Sequence, residues 1–162
     1  MSEHTDTDRI IVGVDGSPSS IAALRYAARL ARVLDAPLEA ITTWVYPPYV
    51  DYALLGDWSP EEHARAALDE AVTAAFGGTP PERFTATTLP GSPADALIGA
   101  SKDAQMLVLG SRGHGGFAGL LLGSVSNACA AHARCPVLIL RADVAVEDDG
   151  SAPGRHAAAA PA

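Results

Sequence analysis

Met106-Leu107-Val108-Leu109-Gly110-Ser111-Arg112-Gly113, followed after nine residues by Gly123-Ser124-Val125-Ser126, is the stretch from which the rest of the chain can be placed. An apolar run ends at a glycine, and Asn127-Ala128-Cys129-Ala130-Ala131-His132 beyond the second glycine cluster can continue as a helix. This reads as a strand that hands over to a helix through a glycine-rich loop. Such a loop suits an anion. The first N–H groups of a helix have no intrahelical partner, and the helix dipole favours negative charge there. Glycines let backbone amides approach a ligand with no Cβ in the way, and Ser124 and Ser126 add hydroxyl donors. On the glycines alone, a mobile surface loop is the competing reading.

Upstream, the same alternation repeats. Arg9 to Val14 is a continuous apolar, β-branched run, the pattern of a strand buried on both faces. Asp15-Gly16 turns the chain, and Ser17-Pro18 supplies an N-cap and a first-turn proline. Ile21, Leu24, Ala28 and Ala31 then recur at helical spacing, with Arg25, Arg29 and Arg32 mostly on other faces, to about Leu34. Leu38 to Val45 is a second strand. Ser59-Pro60, with Glu62 completing a capping box, opens a helix to about Phe76. Arg83 to Leu89 is threonine-rich and less apolar, which places it at a sheet edge. Ser92-Pro93 opens a third helix ending near Lys102-Asp103, and Pro136 to Leu140 follows the glycine loop and its helix as a fifth strand.

Five alternations predict an α/β fold with a doubly wound, five-stranded parallel sheet. If strands one to three wind outward, strand four returns beside strand one, giving the order 3-2-1-4-5. Ligands of such sheets bind beyond the carboxyl ends of the strands where the winding reverses. Asp15 and Gly110 face each other across that crevice: a carboxylate there can accept ribose hydroxyls while the glycine loop wraps phosphates. By its position alone, Asp15 also fits a turn residue ahead of the Ser17 cap.

Composition narrows the partners. The chain has 162 residues, 48% hydrophobic and 19% charged, as expected of one packed domain. Its net charge of −8 opposes binding to nucleic acid or an anionic membrane. Residues 1–7 are polar and acidic, unlike a secretory signal, and no apolar run approaches the ~20 residues of a membrane helix; a cytoplasmic protein is the expectation. We expect disorder over 1–7, one domain over 8–142, and a disordered low-complexity tail over 143–162. Cys129, His132 and Cys135 spell Cys-x2-His-x2-Cys, but a structural zinc wants four ligands, and buried reduced thiols fit better. Tyr46, Tyr49, Tyr52 and Trp58 crowd the loop after strand two; a loop packing its aromatics onto helix two is the plain reading, a lid or partner surface the other.

Two familiar phosphate motifs fail. A P-loop needs Gly-Lys, and Lys102, the sole lysine, lies upstream of the loop. The dinucleotide fingerprint Gly-x-Gly-x-x-Gly is broken by one extra residue in Gly113-His114-Gly115-Gly116-Phe117-Ala118-Gly119. The spacing Gly-x2-Gly-x9-Gly-Ser, filled at Gly110, Gly113, Gly123 and Ser124, instead resembles the nucleotide-binding motif of the ATP-binding universal stress proteins, over about residues 8 to 141. The resemblance implies a Rossmann-like fold of the adenine nucleotide alpha hydrolase type. It puts Asp15 near the nucleotide sugar with Gly13 and Val14, and Thr43 and Trp44 beside the adenine. Leu109, Gly110 and Gly113 fall on the ribose and phosphate side, and Gly123, Ser124, Val125 and Ser126 on the phosphates. Arg112 and His114 occupy variable motif positions and join the site on charge alone. It further implies a homodimer through Val137 to Leu140, an apolar run guarded only by Pro136.

The resulting expectation is an ATP-binding regulatory protein of a stress response. Hydrolysis needs a positioned water, a base and usually a bridging metal, and Asp15 and His114 are thin candidates; a slow ATPase with Mg2+ held through the phosphates stays open. So does a nucleotide-free interaction module, although that branch of the family lacks the complete glycine motif.

Overall fold

The computed structural model describes residues 8–49, 56–114 and 121–141. Strand β1 (Ile10–Gly13) leads to helix α1 (Pro18–Leu34), β2 (Leu38–Trp44), α2 (Pro60–Phe76) and β3 (Phe84–Pro90). Then come α3 (Pro93–Ala100) with a short 3-10 turn (Ser101–Asp103), β4 (Met106–Gly110), α4 (Ser124–His132) and β5 (Val137–Leu140). The expected disorder of 1–7 and 143–162 lies outside the described residues.

Three helices begin with the same local device. Ser17, Ser59 and Ser92 each sit in extended backbone before a proline, and each side chain accepts the N–H three residues on, at Ser20, Glu62 and Asp95. Two end on left-handed residues, α1 at Asp35 (φ 53°) and α2 at Gly77 (φ 61°), whose N–H groups close on Ala31 and Thr73 carbonyls. The buried stripe of α1 is centred on Ser20, Ala23, Leu24, Ala27 and Ala31. Ile21 and Ala28, expected at its centre, lie half-buried at its flanks, because the small Ala23 and Ala27 let the helix approach the sheet most closely on their side.

All strand pairings are parallel, in the order β3-β2-β1-β4-β5, with Ile10 opposite both Leu38 and Met106. Alternation sends Ile10, Val12 and Val14 to one face, where Ala23, Leu24, Ala27 and Leu68 of α1 and α2 cover them. Ile11, Ile41, Leu107 and Leu109 face the other side against Leu97 of α3 and Cys129 of α4. Helices therefore cover both faces, and β3 lies at an edge as its threonines suggest. No described helix is long and apolar enough to cross a membrane. The winding reverses between β1 and β4, whose carboxyl ends stand side by side.

Candidate functional site

A cleft of about 670 Å³ opens at this reversal, within the size range of small-molecule sites. Every candidate from the sequence except Trp44 lines it. Gly13, Val14 and Asp15 come from the end of β1; Leu109, Gly110, Arg112, Gly113 and His114 from β4 and its loop. Thr43 ends β2, and Gly123, Ser124, Val125 and Ser126 open α4. Trp44 turns away: its ring meets Tyr46 edge-on at 5.6 Å, and its buried indole N–H has no acceptor among the described residues.

Two loops form the polar wall, and Asp15 joins them. Its Oδ1 accepts the Ser17 N–H at 2.9 Å, so it is the turn residue ahead of the cap, while Oδ2 accepts the His114 N–H at 3.2 Å. Each carboxylate oxygen keeps a second lone pair for a ligand. The walls desolvate the carboxyl, which raises its pKa, but hydrogen bonds from Ser17, Ser20 and His114 outweigh this and hold it below the ordinary 3.8. A carboxylate with a depressed native pKa adds stability that is complete above the unfolded value and fades as pH falls through the native one. Comparing wild type with Asp15→Asn by urea unfolding, we expect a stability difference at pH 7 that shrinks below pH 3.8; a constant difference down to pH 2.5 would show that the charge has no part in it.

The glycine loop is held by its backbone. Ser111 N–H donates to Leu140 at 2.6 Å, Gly123 N–H to Ser111 at 2.7 Å, and Ser19 Oγ donates to the Arg112 carbonyl. Ser126 departs from expectation. Its hydroxyl is buried and donates to the Gly110 carbonyl at 2.7 Å, so its one proton braces the loop instead of facing the cleft. Ser124 is exposed at the mouth. Gly123 caps α4 with no side-chain acceptor among the described residues, leaving the first amides of that helix open to the cleft. A Cβ on Gly113 would strike the Asp15 carboxylate, and one on Gly110 would lie 2.6 Å from Ser19 Oγ. The Arg112 guanidinium reaches solvent with no partner among the described residues.

Sequence reasoning missed the opposite wall. His63, Ala64 and Ala67 of α2 and Pro93 and Leu97 of α3 close the cleft beyond Ile41 and Thr43. The first turns of α2 showed only that the helix begins there, not what it leans over. Of the loop aromatics, Trp58 packs near His63, ring centres 6.1 Å apart. Tyr49 is fully exposed, which contradicts a loop that packs all its aromatics onto α2, and Tyr52 lies outside the described residues. Cys129 is fully buried and Cys135 half-buried; burial raises both thiol pKa values, with Cys135 adding to the rise at Cys129.

Sheet order, two-sided helices and a cleft between a glycine loop and a helix start define a doubly wound α/β protein with its site at the switch point. Residues 7–141 match the universal stress protein family, and the chain belongs to it. A universal stress protein of Mycobacterium tuberculosis (strain CDC 1551 / Oshkosh) is 34% identical over 151 residues, covering 86% of this chain and 50% of the relative. The chain thus spans about half the length of the curated relatives it matches. Among solved structures, the universal stress protein UspA from Lactobacillus plantarum superposes with a TM-score of 0.68 at 23% identity, covering 83% of this chain and 98% of that one. A universal stress protein in complex with cAMP gives 0.63 at 27% identity, covering 82% and 96%.

Proposed function

We propose that the chain is an adenine-nucleotide receptor of the ATP-binding type within its family, acting as a regulatory binder in a stress response. The observation that carries this reading is the start of α4, uncapped among the described residues, facing the Gly110–Gly113 loop with an Arg112 guanidinium that has no partner among them alongside. Open amides, a favourable dipole and a local cation favour a phosphate chain even on a protein of net charge −8. Asp15, with a lone pair free on each oxygen, suits ribose hydroxyls. The apolar end at Ile41, Ala64, Ala67 and Leu97 suits a base. The related structure in complex with cAMP supports the same ligand class. ATP would be held by the amides of 123–126 and by Arg112, and a bound Mg2+ would neutralise charge on its phosphates.

Thermal unfolding with ATP, AMP, GTP or no nucleotide, each with and without Mg2+, tests the reading. A ligand at ~100 times its dissociation constant adds about 2.7 kcal/mol, or roughly 5–10 °C at this chain length. We expect the largest shift with ATP. No shift with any nucleotide would favour a nucleotide-free interaction module. We further propose that the chain pairs through β5, whose outer edge no described strand covers. Light scattering at micromolar concentration is expected to give twice the chain mass; the mass of one chain would refute the pairing.

A further inference from the structure

At the opposite end of the sheet, under the amino ends of β2 and β3, lies a second cleft of about 760 Å³. It gathers Arg25, Arg29, Arg32 and Arg83, four of the chain's 11 lysines and arginines, against only Asp35 and Glu82. On a chain with eight surplus negative charges this is a local reversal of sign.

The four arginines are not alike. Arg25 closes the end of α2, donating to the Ala74 carbonyl at 2.6 Å and the Ala75 carbonyl at 3.3 Å. Arg83 bonds the Asp35 carboxylate at 2.6 Å. Both are committed to the fold. Arg29 and Arg32 have neither an ion pair nor a side-chain hydrogen bond among the described residues, and Arg29 is half-buried. With Arg25 they stand at positions i, i+4 and i+7 of α1, hence on one face, and like charges at such spacing destabilise a helix unless something lies between them. Arg32 is in the last turn, where a cation complements the helix dipole; Arg29 is a turn earlier, beyond the reach of that explanation. Beside these guanidinium groups the cleft floor is apolar, formed by the partly exposed Ala28 and Phe76 over the buried Ala31 and Leu38.

We propose that this cleft is a second ligand site, separate from the nucleotide cleft, for a small phosphorylated molecule with an apolar body. Arg29 and Arg32 hold the phosphoryl group, since a guanidinium presents two parallel donors matched to phosphate oxygens. Ala28 and Phe76, both partly exposed at the cleft, take the apolar part. The dianion cancels the repulsion between the two arginines, so binding and the local stability of α1 rise together.

Phenyl phosphate and inorganic phosphate, titrated into the 15N-labelled full chain, are the probes. Phenyl phosphate is expected to shift amides over 28–36 and 76–83, and inorganic phosphate to shift the same amides more weakly. Arg29→Gln with Arg32→Gln removes both charges but keeps unbranched polar side chains, and is expected to weaken phenyl phosphate by on the order of tenfold or more, leaving the ATP response unchanged. Gly123→Leu, aimed at the other cleft, is expected to leave the phenyl phosphate shifts in place. Arg29→Lys, which keeps charge without the paired donors, is expected to fall between wild type and the double variant. Shifts confined to 110–126, or equal shifts in wild type and the double variant, would overturn the second site while leaving the nucleotide reading intact.

Discussion

Gly123→Leu is expected to lose ATP binding by about a hundredfold or more, equivalent to ~2.7 kcal/mol, while unfolding within a degree or two of wild type. Gly123 has ordinary extended backbone, φ −70° and ψ 166°, so the substitution strains nothing. A Cβ there would rest 3.6 Å from both the Arg112 Cα and the Ser111 carbonyl oxygen and 3.7 Å from the Gly113 nitrogen, in normal contact. Alanine therefore fits. The outer atoms of a leucine would lie over the Ser111–Gly113 backbone, in the space we assign to phosphates. Calorimetric titration of ATP into wild type, Gly123→Ala and Gly123→Leu should show a graded loss, steepest for leucine. Undiminished binding in Gly123→Leu would remove the cradle from the proposed site.

Gly110→Ala is expected to act on the fold itself, lowering stability by about 1–3 kcal/mol as overpacking does, roughly 2–12 °C in Tm at this chain length. Its Cβ would stand 2.8 Å from the Ser19 carbonyl carbon and 3.0 Å from the Ser19 Cβ, so the first turn of α1 must move. Ser19 also donates to the Arg112 carbonyl, and the glycine loop would shift with it. Gly13→Ala is the control. Its Cβ meets only the side-chain ends of Leu109 and Leu97, at 2.6 and 2.9 Å, which can rotate aside at lower cost. Equal melting temperatures for Gly110→Ala and wild type would mean that α1 and β4 do not approach this closely in solution.

The contrast between these glycines shows where local reading stops. Gly110 is held small by the first turn of α1, Gly13 meets two leucine side-chain ends that can move aside, and Gly123 is required by nothing in the backbone or packing of the described residues. Spacing cannot separate these reasons, because each depends on which element crosses the glycine in three dimensions.

Much of the fold was legible because its signals are local. Each Ser-Pro opening meets its own backbone three residues on, so Ser17, Ser59 and Ser92 cap their helices whatever the sheet does. Strand order followed once strands one to three were taken to wind outward, which returned strand four beside strand one and brought Asp15 and Gly110 together. Trp44 illustrates the limit: it ends the correct strand, but its ring packs edge-on against Tyr46, and Thr42 and Thr43 line the cleft instead.

By itself, then, the sequence determined the alternation of strands and helices, the parallel sheet, the location of the crevice and the glycine loop that lines it, since periodicity, caps and turns act within a few residues. Only the tertiary structure decided that the Ser126 hydroxyl braces Gly110, that Asp15 ties two loops together, and that His63 closes the cleft. It alone left Arg29 and Arg32 without an ion pair among the described residues, beside an apolar floor. A polar side chain has one proton or one charge to place, and distant chain segments brought within 3 Å settle where it goes.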